Sequence, residues 1–139
     1  YTDSKYTKRI KTISKSSKKN LTLYAKWQKV TVKKSAIKKM KAVSGRKAKV
    51  TVQKVDGAAG YQIVYSTDKQ FKDNPKDVSY HNEFKKNVKK VTISGTSKTL
   101  GKLAKGKTYY VKVRAYKKDS TGAKVYGSFS SAKKIKISK

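Results

Sequence analysis

Residues 103–116 read LAKGKTYYVKVRAY, and after Gly106 they alternate between two kinds of side chain. A period of two residues places successive side chains on opposite faces, which is typical of a strand with one buried face. The face predicted to be buried carries Tyr109, Val111, Val113 and Ala115. The opposite, solvent-facing side carries Tyr110, Lys112, Arg114 and Tyr116. Such a strand needs further strands to complete a core.

The phrase GAAGYQIVYS at residues 57–66 predicts a turn followed by a second strand. Glycine supplies the positive φ angles of such turns, and Tyr61, Ile63 and Tyr65 then form the inward-facing set. Comparable patterns predict strands over residues 37–43, 47–55, 88–93 and, after the hairpin signal DSTG, 124–138. Short strands separated by turns predict an all-β sandwich.

These two phrases together resemble the fibronectin type III domains found in secreted and surface proteins of Gram-positive bacteria. GAAGYQIVYS is similar to the turn and third strand of that family, and the spacing of Leu103, Gly106 and Tyr109 is similar to the start of its sixth strand. The resemblance covers residues 33–139 and implies an immunoglobulin-like sandwich in which Tyr109 forms the tyrosine corner. The implied structural core comprises Tyr109, Tyr65, Tyr61, Ile63, Val111, Val113 and Leu103.

A different pattern precedes this domain. Residues 20–27 read NLTLYAKW and predict a strand that ends on Trp27. LYAKW resembles the closing motif of the Listeria–Bacteroides repeat, the B-repeat of internalin-type surface proteins. We therefore predict the C-terminal part of such a module at 1–27, a short stiff linker at 28–35 and the fibronectin type III domain at 36–139. A partial module cannot close its own core, so we expect it either to pack on the next domain or to be poorly ordered.

The charge balance is extreme. Lysine and arginine number 38 against 7 acidic residues, a formal net charge of +31. A small soluble domain ordinarily carries a net charge of magnitude ~2–8. Most of the excess is lysine spread along the predicted strands, which is typical of a solvated outer face that keeps sheet edges unpaired.

The same lysines allow a functional interpretation, namely attraction to a polyanion. The candidate partners are teichoic acid of a cell wall and sulfated glycan, with nucleic acid bound only nonspecifically. Aromatic and basic side chains are interleaved on the outer face of the strand at 103–116, which suits contact with a charged polymer as well as ordinary packing between strands. The candidate contacts are Lys112, Arg114, Tyr110 and Tyr116.

The residue inventory argues against an enzyme. The sequence has no cysteine and a single histidine, His81, so it lacks a disulfide framework, a Cys–His pair and a zinc set. No glycine-rich phosphate loop follows a predicted strand. Asp68, Asp73 and Asp77 could offer oxygen ligands to calcium, but their spacing does not follow the EF-hand loop. We predict no catalytic residue, no cofactor and no metal site, and no run approaches the ~20 apolar residues of a membrane helix.

The least regular stretch is residues 66–87, which is longer than the ~12–15 residues at which a structureless loop becomes unusual. It contains Phe71, Tyr80, His81 and Phe84. Two interpretations stay open, since these aromatic side chains could form a shelf for a ligand or could anchor the loop on the sandwich.

Both resemblances imply a non-catalytic spacer module of a large modular protein, extracellular and associated with a Gram-positive cell wall. Such a module is expected to be a monomer beside other modules of the same chain, with lysines attached to anionic wall polymer. One alternative is an adhesin module that binds a host polyanion and prefers one pattern of anionic groups. Another is an ancillary domain of a carbohydrate-active enzyme.

Overall fold

The computed structural model describes residues 1–15, 20–26, 28–71 and 88–138, and within them every regular element is a strand. The strands are β1 (Ile37–Val43), β2 (Lys47–Val52), β3 (Gly60–Ser66), β4 (Lys89–Ile93), β5 (Ser97–Leu100), β6 (Thr108–Lys118), β7 (Lys124–Tyr126) and β8 (Lys133–Lys136). The all-β fold class predicted from the sequence is confirmed.

The strands form two antiparallel sheets that face each other. The first sheet has the order β1-β2-β5. In the second sheet β4 pairs with β3 and β3 pairs with β6, while β7 and β8 both pair with β6. Strand β5 is a strand that the sequence pattern did not indicate, because only Leu100 of its four residues is buried. Its backbone pairs with β2 all the same, and this pairing completes the first sheet.

The last predicted strand, over residues 124–138, is divided into β7 and β8. Backbone bonds from Gly127 N to Ala115 O and from Ser130 N to Val113 O keep the chain attached to β6 across the gap. A neighbouring segment crosses the chain at this break. The segment before β1 passes so close that a Cβ on Gly127 would lie 3.0 Å from the carbonyl oxygen of Val32.

The core lies between the sheets and follows the period of two. Ala48, Val50 and Val52 of β2 face Val111 and Val113 of β6, and all five are at most 2% exposed. Because alternate residues of each strand point the same way, one face of each sheet is enough to build this core. The predicted second strand ends earlier than expected, since its pairing stops at Val52 rather than at residue 55.

The N-terminal segment differs from its predicted form. Among the described residues of 20–26 there is no strand, and Leu21 and Leu23 are 45% and 50% exposed. Tyr1 and Tyr24 exchange two backbone hydrogen bonds of 3.0 and 2.9 Å, which is one pair and not a ladder. Alternation alone does not make a strand without a neighbouring strand to bond. Trp27 lies outside the described residues, and the B-repeat origin of this segment stays a prediction.

The segment just before β1 lies against the sandwich. Val32 packs on the core cluster, and the Ser35 hydroxyl, on a side chain that is 2% exposed, donates a 2.8 Å hydrogen bond to the Gln53 carbonyl oxygen. The chain therefore begins to contact the sandwich before the first strand starts.

Candidate polyanion-binding face

The candidate site is built on the outer face of the second sheet, which is the face directed away from the core. In the register of β3 and β6, Val64 lies opposite Lys112 and Gln62 lies opposite Arg114. These side chains form a second layer on the sheet. Its apolar part is a buried outer cluster of Val64, Phe71 and Val88, with Tyr110 and Phe129 packed against it.

Arg114 lies inside this layer, contrary to its predicted role as a polyanion contact. Its side chain is 6% exposed, and its Nε donates a 2.8 Å hydrogen bond to Gln62 Oε1. Its guanidinium carbon lies 3.9 Å from the ring centroid of Tyr126 and 4.5 Å from that of Phe129. Burial lowers the pKa of Arg114, and the nearby Tyr126 opposes this effect. A guanidinium stacked between two rings contributes to packing through cation–π contact rather than to ligand binding.

Tyr116 is a second correction of the same kind. It is also 6% exposed, and its ring centroid lies 5.7 Å from that of Tyr126. Of the four predicted contacts, Tyr110 and Lys112 therefore lie at the surface. Both are partly exposed, and they are brought together in one groove.

This groove, which we call the lysine groove, has the rings of Tyr110 and Phe129 in its wall and a volume of about 640 Å³. Lys34, Lys69, Lys112 and Lys134 also line it. The Nζ of Lys112 lies 4.6 Å from the ring centroid of Phe71, which fixes this amine over the outer cluster. Of the described residues that line the groove, none is acidic. The arrangement suits a ligand with negative charges and at least one flat or apolar surface.

Sequence reasoning missed seven of the nine residues that line the groove, and among the aromatic and basic ones only Phe129 carries a local signal. Phe129 lies in the stretch 124–138 that was predicted as a strand, where an aromatic side chain is a candidate for packing. Lys34, Lys69 and Lys134 belong to three segments that are distant in sequence. Their proximity arises from the way these segments cross one end of the second sheet, and no periodicity indicates it.

The predicted core residues lie on the inner side of the second sheet or beside it. Tyr61, Ile63, Val111, Val113 and Leu103 are each at most 3% exposed. Tyr65 and Tyr109 are partly buried against the same core, with ring centroids 6.3 Å apart. Burial raises the pKa of Tyr65, and Tyr109 acts in the same direction.

Two tyrosine hydroxyls serve the backbone. The hydroxyl oxygen of Tyr109 accepts a 2.9 Å hydrogen bond from Ala104 N, five residues upstream. That of Tyr61 accepts a 2.8 Å hydrogen bond from Val55 N, which is buried. The first bond has the geometry expected of a tyrosine corner at the start of the sixth strand.

Most of the irregular loop at 66–87 lies outside the described residues. Tyr80, His81, Phe84 and the two aspartates at 73 and 77 lie outside the described residues. Phe71 is described, and at 1% exposure it anchors the start of the loop on Val64. Within the described ranges no three His, Cys, Asp or Glu side chains gather into a possible metal site. The part of the chain that the structure describes also contains no helix long and apolar enough to cross a membrane.

Comparison with solved structures identifies the fold. The fn3 domain of human collagen alpha-1(XX) chain is similar with a TM-score of 0.52 at 15% sequence identity, over 84% of this chain and 94% of that chain. The fold is a fibronectin type III fold. The third fibronectin III domain of the human KIAA0343 protein is also similar, with a TM-score of 0.47 at 20% identity, over 74% of this chain and 81% of that one.

At this level of identity the similarity concerns the fold alone. No family model matches the sequence, and no curated protein matches it. The predicted fibronectin type III sandwich is thus confirmed, while the bacterial context stays a prediction.

Proposed function

We propose that this chain is a non-catalytic spacer module of a modular extracellular bacterial surface protein, attached through its lysines to anionic cell-wall polymer. The observation that carries the proposal is the net charge of +31 on a chain whose strands form one folded sandwich. A charge of this size destabilises a compact state by self-repulsion unless counter-charge is present. A surface-bound polyanion supplies that counter-charge continuously.

The outer face of the first sheet supports this proposal. Lys39, Lys41, Lys47 and Lys49 of β1 and β2 are all exposed. Lys41 lies directly opposite Lys49 in the antiparallel register. Like charges directly opposite each other weaken a strand pair, so this arrangement does not serve the stability of the isolated domain.

Two of the few acidic side chains are bound to neutral hydrogen-bond donors. The Asp3 carboxylate accepts hydrogen bonds from Thr7 and from the backbone of Lys8, and the Thr7 hydroxyl lowers the pKa of Asp3. Asp119 accepts hydrogen bonds from Thr121 and from Ala123 N in the β6–β7 turn, and the Thr121 hydroxyl lowers the pKa of Asp119. Both carboxylates close turns and stay ionised, and the net charge of +31 remains after their negative charges are counted.

The proposal is tested by binding to purified wall teichoic acid, heparin and duplex DNA at two salt concentrations, beside poly-lysine of matched charge. Each lysine that meets a phosphate releases counterions, so a complex with about six contacts should lose roughly 10³ in affinity between about 50 and 200 mM salt. We expect all three polymers to bind at low salt and to dissociate as salt rises. Absence of binding at low salt would contradict the attachment, and heparin or DNA retained far above both the control and teichoic acid would favour the adhesin alternative.

A further inference from the structure

We propose that the lysine groove is a subsite for one sugar ring of a phosphate-bearing glycan polymer, with the ring between Tyr110 and Phe129 and the phosphates on the surrounding lysines. This inference rests on the proposed function, because it names what one part of the basic surface recognises. General attachment needs only charge, whereas this groove adds a preference for polymers that carry rings.

The two aromatic rings are held from behind. Tyr110 and Phe129 pack on the outer cluster formed by Val64, Phe71 and Val88, whose members are 0%, 1% and 7% exposed. Both rings nevertheless reach the groove wall and keep part of their surface in solvent. A supported ring with a free edge or face gives contact area at a low conformational entropy cost. This is the kind of surface on which an uncharged ring can rest.

The charges converge from four separate parts of the chain. Lys34 precedes β1, Lys69 follows β3, Lys112 is in β6 and Lys134 is in β8. Four like charges around one groove repel one another unless an anion lies between them. Lysine ammonium groups bind phosphate as compact point charges, and Lys112 is already positioned over the Phe71 ring. The groove is therefore complementary to phosphate groups on both sides of a ring.

The shape favours a polymer over a small molecule. The volume of about 640 Å³ lies within the ~300–1,000 Å³ range of small-ligand sites, but the groove is open rather than enclosed. It continues into a second depression of about 270 Å³, lined by Lys133, which shares Lys34, Ser130 and Ser131 with it. A chain could thus leave the groove along the surface and meet a further amine.

A single-stranded nucleic acid also combines rings with phosphates, but it needs successive exposed ring faces for its bases. The other described aromatic rings of this outer face do not provide them. Tyr116 and Phe71 are 6% and 1% exposed, and Tyr126 is not among the residues that line the groove. One ring site among many charges fits a glycan with spaced phosphates better than a run of stacked bases.

The test compares three probes of matched phosphate content in titration calorimetry with the whole chain: glycosylated wall teichoic acid, ring-free inorganic polyphosphate and oligo-deoxythymidine. We expect the glycosylated polymer to bind about tenfold more tightly than polyphosphate at the same salt, a difference of about 1.4 kcal/mol, because only the glycosylated polymer offers a ring to Tyr110 and Phe129. The double variant Tyr110→Leu, Phe129→Leu keeps an apolar cover on the outer cluster and should abolish this preference while polyphosphate binding stays unchanged.

Two pairs of lysine variants, each removing two charges, test the groove independently of its aromatic rings. The pair Lys112→Gln, Lys134→Gln removes two charges at the groove, and Lys41→Gln, Lys49→Gln removes two charges from the outer face of the first sheet. We expect the first pair to lose about tenfold in affinity for the glycosylated polymer and the second to lose less than about threefold. This comparison decides the case if the aromatic double variant does not fold, because all four lysines are at least partly exposed.

Four results would contradict the groove, the glycan assignment or the proposed attachment. Equal affinity for glycosylated polymer and polyphosphate, or equal loss in the two lysine pairs, overturns the groove and leaves general attachment intact. Tightest binding to oligo-deoxythymidine makes the groove a nucleic-acid site and overturns the glycan assignment. Absence of binding to any probe at low salt contradicts the proposed attachment itself, together with the groove that depends on it.

Discussion

In both sheets of the sandwich, alternate side chains of each strand point to the outer face. The outer face of the first sheet is open to solvent, whereas that of the second sheet is covered. In β2, Lys47 and Lys49 alternate with buried residues and remain exposed. In β6, Arg114 and Tyr116 alternate with buried residues in the same way, yet both are 6% exposed. The first face is solvated, and the second is a packed layer of its own.

The difference comes from what crosses each sheet. Phe71 lies over Val64 at one end of the second sheet, and the segment between β7 and β8 places Phe129 beside Arg114. No such segment among the described residues covers β1 and β2. Alternation therefore assigns a residue to a face, whereas exposure depends on the rest of the chain.

The largest expected effect comes from removing the cover of the second sheet. Phe71→Ala should lower the free energy of unfolding by about 3–5 kcal/mol, because Phe71 is 1% exposed and packs on Val64. Lys39→Ala, on the solvated face, should change it by no more than about 0.5 kcal/mol. Urea unfolding of both variants measures the contrast. A loss below about 1 kcal/mol for Phe71→Ala would show that the outer cluster is not part of the cooperative unit.

A second variant adds volume to the covered face instead of removing it. A Cβ on Gly60 would lie 2.7 Å from the Tyr116 hydroxyl oxygen and would also collide with the Ile93 carbonyl oxygen. Gly60→Ala should therefore cost about 1–3 kcal/mol, measured by thermal unfolding. Gly95→Ala is the matched control, because its Cβ would meet nothing within 4 Å. Equal melting temperatures for the two variants would mean that Tyr116 and the strand edge yield freely.

The hydroxyls of Tyr61 and Tyr109 each accept a backbone hydrogen bond, but the N–H donor is buried in the first case and exposed in the second. Tyr61→Phe should cost about 1–3 kcal/mol, because it leaves the buried Val55 N–H without its acceptor. Tyr109→Phe should cost about 1 kcal/mol or less, since the exposed Ala104 N–H can bond to water. Calorimetry on both variants gives the order. A larger loss for Tyr109→Phe would place the tyrosine corner, and not the Tyr61 bond, as the stronger constraint.

The smallest effect concerns the solvated face alone. Lys49→Glu should stabilise the sandwich by about 0.2–1 kcal/mol at low salt, because Lys41 lies directly opposite. The gain should shrink as salt rises to about 1 M, where the screening length falls to about 3 Å. Lys38→Glu makes the same charge change at a position without a lysine directly opposite and should gain less. Equal gains would indicate relief of overall repulsion rather than a cross-strand pair.

The sequence predicted those features that depend on neighbours within one strand. The inward sets of β2, β3 and β6 follow from a period of two, so Val50, Ile63 and Val113 are buried as expected. Strand β5 escaped prediction because four residues with a single buried Leu100 carry too little pattern. The strand predicted for residues 20–27 carries a clear pattern, but its described part makes a single backbone pair, between Tyr24 and Tyr1, and no ladder.

The candidate site was only half predictable for a related reason. Tyr110 and Lys112 could be assigned to the outer face from their own strand. The burial of Arg114 could not be predicted in this way. Its hydrogen-bond acceptor Gln62 lies 52 residues away, and its stacking partner Phe129 belongs to the last part of the chain. A basic residue on an alternating strand is thus a surface candidate only until its cross-strand neighbours are known.

The contact between Val32 and Gly127 has a mechanical consequence. Because the segment before β1 lies against the break between β7 and β8, tension arriving from upstream acts first on that contact and on the Ser35–Gln53 hydrogen bond. These contacts must detach before the load reaches the ladder between β1 and β2. A pull on the N-terminal end would therefore release this short segment before it opens the sandwich.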